Sequence, residues 1–141
     1  VYSAHSDRFG LIKPFDVKSG NVREDLLEWA SMPGVVGARL MISNSGLQGS
    51  EPGVGEMFST ASEADIPVNV FCSGNLSVFK ELAKTYPNTR LVIDHLGLEQ
   101  PFVPPPPEDP FSDIDQVIEV SKCANMLKEN GKKVLKRAIF R

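Results

Sequence analysis

The sharpest chemical feature of the sequence is Asp94-His95-Leu96-Gly97, which follows the apolar run Arg90 to Ile93. An imidazole titrates near neutrality, so His95 could ligate a metal, move a proton or hydrogen-bond a substrate oxygen, with Asp94 beside it as an orienting carboxylate. A strand-end histidine bonded to a backbone carbonyl has the same spacing, and both readings stand. Cys72 closes the preceding apolar run; a thiolate and an imidazole could share a metal or form a nucleophile pair. One cysteine and one histidine do not complete a zinc site, which takes at least three protein ligands, and a small buried hydrophobe is the plainer reading of Cys72. Arg39 interrupts the apolar stretch Val35 to Ile42. A guanidinium there requires a carboxylate, either a substrate's or a structural partner's. Lys13 and Asp16 read as solvated or structural, and His5 as exposed.

Positioning such groups requires elements that end together. Phe9 to Asp16 reads as a strand. Asn21 with Glu24 forms a capping-box pattern ahead of Val22, Leu26, Leu27 and Ala30 at helical spacing, stopped by Pro33-Gly34. The cycle repeats with a strand over Val35 to Ile42, a glycine-rich loop from Ser43 that is a candidate lid, and a helix over Val54 to Ala64. A strand over Pro67 to Cys72 follows, then a helix with Leu76, Phe79, Leu82 and Ala83 on one face, and a strand over Arg90 to His95. Strands alternating with helices predict consecutive βαβ units and a parallel sheet, whose polar site residues gather at the carboxyl ends of the strands. Pro104 to Pro107 stiffen the next connection, and Ser112 and Asp115 open a last helix through Ile114, Val117 and Ile118. Periodicity does not separate a barrel from an open doubly wound sheet. No GxGxxG or P-loop pattern follows any strand, which disfavours nucleotide binding.

The chain has 141 residues, 41% of them apolar and 23% charged, with net charge −3, an ordinary globular balance without the basic excess that nucleic acid binding requires. No apolar run reaches the ~20 residues of a membrane span, no signal peptide is legible, and two distant cysteines fit a reducing, cytoplasmic setting. A complete (β/α)₈ barrel takes ~250 residues. About four βα units are therefore expected, as a fragment whose upstream sequence precedes Val1.

In order and spacing, His5-Ser6-Asp7-Arg8-Phe9-Gly10-Leu11, Pro33-Gly34-Val35-Val36-Gly37-Ala38-Arg39-Leu40, Ile66-Pro67-Val68 and Val92-Ile93-Asp94-His95-Leu96-Gly97 resemble the amidohydrolase-related family. The resemblance runs from about Tyr2 to Val120. It implies a partial TIM barrel over residues 1–127, with a basic tail of unclear structure over 128–141 that contains Lys128, Lys132, Lys133, Lys136 and Arg137 around Gly131. It implies a hydrolase of C–N or C–O bonds in small amides or lactones, or a related carboxy-lyase acting on aromatic acids. Many members hold a divalent metal, zinc or manganese, and some lactonase branches work without one. The family's HxH pair and its late catalytic aspartate have no counterpart in these residues, so any metal site in this chain is incomplete. Phe71 stands where the family often has a histidine, which suggests a reduced or absent metal site. The resemblance carries over His95 as catalytic, or as a metal ligand if further strands supply the others, and Asp94 as its neighbour; Arg39 is the candidate substrate anchor.

The rival from another class is a non-catalytic binding or assembly module. A half-barrel leaves two sheet edges with unpaired backbone groups, so self-association into a homo-oligomer is expected. A small-molecule substrate is the expected partner; nucleic acid and membrane are not.

Overall fold

The computed structural model describes residues 4–43, 45–99, 105, 107–109, 111–123, 128–129 and 132–133. Strands β1 (Leu11–Pro14), β2 (Val35–Met41), β3 (Val68–Phe71) and β4 (Leu91–Ile93) alternate with helices α1 (Val22–Ser31), α2 (Pro52–Glu63) and α3 (Leu76–Thr85), and α4 (Ile114–Val120) follows. All neighbouring pairs of the four-stranded sheet are parallel, in the order β1-β2-β3-β4.

That order resolves what periodicity leaves open. Parallel crossovers are right-handed, so strands added always on the same side place every connecting helix on one face. A doubly wound sheet reverses its strand order and carries helices on both. Side-chain burial agrees: Ala38, Leu40, Val68, Val70 and Leu91 are fully buried against the helices. The alternating residues Arg39, Asn69 and Val92 are only partly covered. The architecture is that of a partial TIM barrel, with helices outside and the lumen face of four strands open.

Apolar spacing explains each helix. In α3, Leu76, Phe79, Leu82 and Ala83 are all buried. In α2, Val54, Met57, Phe58 and Ala61 face the sheet behind Pro52, whose fixed φ suits a first helical turn. Tyr86 packs on Phe58 at 4.9 Å between ring centres, and Thr89 Oγ1 donates to the Phe58 carbonyl at 2.9 Å. Gly53 is required by close approach, because a Cβ there would lie 1.9 Å from the Val17 carbonyl oxygen.

Several local expectations change. Asn21 makes no side-chain cap hydrogen bond, so the capping-box pattern is not used, and Leu27 is exposed while Val22 and Leu26 enter the core. Trp29 fills the α1 face instead, its Nε1 donating to the Gly37 carbonyl at 3.0 Å. The Lys13 ammonium lies 5.0 Å from the Trp29 ring centre and 4.8 Å from that of Phe15, a structural cation–π contact on the helix side. Ile118 is exposed, whereas Val117 and Val120 are buried. In the segment read as a tail, Lys128–Glu129 pairs antiparallel with Lys132–Lys133. Pro104, Pro106, Leu127, Gly131, Lys136 and Arg137 lie outside the described residues, as do Val1 and Tyr2. No described helix is long and apolar enough to cross a membrane.

Candidate active site

Three adjacent strands place Arg39, Asn69 and Asp94 on the open face. Arg39 and Asn69 are direct partners in the β2–β3 register, Val92 is opposite Asn69 in β3–β4, and Asp94 is two residues beyond Val92 toward the carboxyl end. Arg39 Nε stands 2.6 Å from Asp94 Oδ2, with the Asp94 side chain 12% and the Arg39 side chain 31% exposed. Neither of these two buried atoms is aligned for a hydrogen bond, so the contact is one of charge with charge. Asn69 Nδ2 donates to the other carboxylate oxygen at 3.2 Å. The carboxylate that Arg39 requires is therefore Asp94, from within the chain, and both oxygens of Asp94 are engaged.

Beyond the strand tips, Phe71 links this pair to His95. The Arg39 guanidinium carbon lies 5.5 Å from the Phe71 ring centre, and the His95 ring meets Phe71 edge-on at 5.4 Å and 75°. β4 stops at Ile93, so strand alternation does not extend to His95; Asp94–Gly97 instead form a tight helical turn. Within it His95 (φ 52°), Leu96 (φ 58°) and Gly97 (φ 68°) are left-handed in succession. This conformation costs ~1–2 kcal/mol for each non-glycine residue, and such strain gathers at functional sites. Gly97 is needed twice over, since a Cβ would also meet Leu76 Cδ2 at 2.5 Å and Ile93 Cδ1 at 2.7 Å. The turn leaves the imidazole exposed, and among the described residues its ring nitrogens have no hydrogen-bond partner.

The other candidates lie elsewhere. Cys72 is fully buried in the helix-side core. Burial, reinforced by the negative charge of Asp94, pushes its thiol up to about 12, so at neutral pH there is no thiolate to attack a substrate or bind a metal. A thiol reagent at pH 8 is expected to leave Cys72 unlabelled until denaturant is added; rapid native labelling at Cys72, located by mass spectrometry, would contradict this burial. The sign for stability follows. The unfolded thiol ionises from about 9 upward while the folded one stays neutral to about 12, so this contribution to stability is complete below pH 9 and lost across that interval.

The far end of the loop after β2, read as a candidate lid, packs on α3. Glu51 accepts hydrogen bonds from the Gln48 and Gly49 amides, which hold its carboxyl below the usual range, and Gly49 packs against Val78 of α3. Asp16 accepts from the Lys18 amide, and His5 Nδ1 lies 2.7 Å from an Arg8 nitrogen, so both belong to surface turns. Two cavities, of about 480 Å³ beside Val17, Lys18 and Glu56 and about 270 Å³ beside Ser62, Asn88 and Thr89, include none of Arg39, Asp94 and His95.

A singly wound parallel sheet with helices on one face, and polar groups gathered at the carboxyl ends of its strands, defines the TIM-barrel class of enzymes. Within that class the chain belongs to the amidohydrolase family, whose model, described as amidohydrolase, matches residues 3–109, and its function is of the hydrolase type. Comparison with curated proteins and with solved structures finds no match.

Amidohydrolases generally depend on a metal. Among the described residues no three His, Cys, Asp or Glu side chains are grouped to hold one. The donors at the open face do not fit an ion either, because the carboxylate of Asp94 already contacts a guanidinium and an amide, and Phe71, between Arg39 and His95, offers no lone pair. Asn69 is the site residue that sequence reading passes over. Its signal is present, an amide inside the apolar strand Val68-Asn69-Val70-Phe71, but only the register shows that it faces Arg39.

Proposed function

We propose that this chain carries part of the active site of a hydrolase acting on the C–O or C–N bond of a small lactone or amide, with His95 transferring protons and Arg39 anchoring the substrate. One observation carries the reading: an exposed imidazole, hydrogen-bonded to no described residue and held in a strained turn at the strand ends, shares Phe71 with the Arg39 guanidinium. Arg39 binds the substrate's carbonyl oxygen or carboxylate through its terminal nitrogens, which bond to no other described residue. His95 takes a proton from water as the water oxygen adds to the carbonyl carbon. It then gives that proton to the departing alkoxide or amine as the C–O or C–N bond breaks, so protons balance over the cycle. Asp94 is no base here; its charge is committed to Arg39, and its role is to hold the guanidinium.

The carboxy-lyase reading shares the Arg39 anchor and differs in product. The test is a panel of lactones, amides and aromatic acids offered to the full-length protein, with carboxylate product and carbon dioxide followed in parallel. A new carboxylate is expected, with release of a proton from lactones and of an ammonium product from amides. Carbon dioxide release alone would replace hydrolysis by decarboxylation, and turnover of none of these compounds by well-folded protein would favour a non-catalytic module.

A further inference from the structure

We propose that the Arg39 guanidinium is the resident cation of this site, engaging the Asp94 carboxylate that a divalent ion would need and presenting its positive charge to a substrate oxygen instead. The proposal builds on the reading of the open face as a substrate site.

The spacing of Phe71 and His95 is that of two metal-bound rings, with the wrong donor in one of them. Two imidazoles bound at ~2.0–2.1 Å to one tetrahedral ion have ring centres roughly 5 Å apart; Phe71 and His95 are separated by 5.4 Å. Asp94 supplies a carboxylate close by, on the face that Phe71 shares with Arg39. The position that would complete a His-His-Asp set is a phenyl ring, and the charge beside the carboxylate is a guanidinium. Guanidinium stays protonated at any working pH, and an aromatic face attracts it as it would any cation. Asn69 takes the second oxygen of Asp94, so a divalent ion would have to displace an amide and approach a fixed positive charge.

The same contacts hold Arg39 ready for a ligand. Nε faces Asp94 and the guanidinium carbon lies 5.5 Å from the Phe71 ring centre, while the terminal nitrogens bond to no described residue on a side chain 31% exposed. A planar fork with these two donors suits a carboxylate, or a carbonyl oxygen gaining negative charge.

The test reads zinc binding rather than turnover. Full-length protein, stripped with chelator, is titrated calorimetrically with zinc alongside Asp94→Asn and His95→Ala. Wild type is expected to show no zinc binding that either substitution removes. The double variant Arg39→Met/Phe71→His, its fold checked by circular dichroism, is expected to gain a zinc site roughly tenfold or more tighter than any in wild type, lost again on adding His95→Ala. Should that variant not fold, Arg39→Gln/Phe71→His makes the same comparison. Zinc bound by wild type and lost in Asp94→Asn overturns the proposal, as does a folded double variant that gains nothing. A protein inactive on every substrate would defeat the hydrolase reading without touching this result, and zinc held by Asp94 would do the reverse.

Discussion

Replacing His95 with alanine is expected to lower turnover of the full-length protein by roughly 10²–10⁴-fold, the usual contribution of a positioned acid–base group, while the unfolding midpoint stays close to that of wild type. The asymmetry comes from its surroundings. The residue is exposed and its ring meets Phe71 in a T-shaped contact, so its removal opens no buried cavity. The backbone φ of 52° is one that histidine and asparagine tolerate better than most residues. His95→Asn is therefore the sharper control, since it keeps the turn and a polar side chain but neither takes up nor gives up a proton near neutral pH. Both variants are expected to lose activity together; wild-type kcat and KM in His95→Asn would remove the imidazole from the mechanism.

Phe58→Ala is expected to cost about 3–5 kcal/mol of folding stability, read from the urea midpoint, a large share of the 5–15 kcal/mol typical of a domain. Phe58 is fully buried at the junction of α2, Tyr86 and Thr89, where the helix layer is locked to the segment leading into β4. Removing the ring leaves a cavity there, and the segment that delivers Asp94 and His95 loses its backing. Phe111→Ala is the contrast: that ring is 57% exposed, and its loss is expected to fall within about 0.5 kcal/mol of neutral. Equal destabilisation by the two substitutions would mean that the core does not lie between the sheet and α2.

Much of the molecule is legible in its residue order because strands and helices write their burial as periods of two and 3.6. The α3 face of Leu76, Phe79, Leu82 and Ala83 is buried as its spacing predicts. Side-chain choices at element ends are less legible. Asn21 and Glu24 match a capping box that is not formed, and Trp29 rather than Leu27 extends the core-facing side of α1, because neighbouring elements, not local pattern, decide which contacts are worth making.

The residue order by itself determined the alternation of strands and helices, the apolar faces, and the presence of Arg39, Asp94 and His95 near strand ends, all properties of short stretches of chain. Tertiary structure decided what depends on partners distant in sequence. The β1-β2-β3-β4 order made the sheet barrel-like, the β2–β3 register put Asn69 beside Arg39, and the crossing from β2 to β4 joined Arg39 to Asp94. Strand pairing is a relation between segments tens of residues apart, and no single segment records which neighbour it will meet.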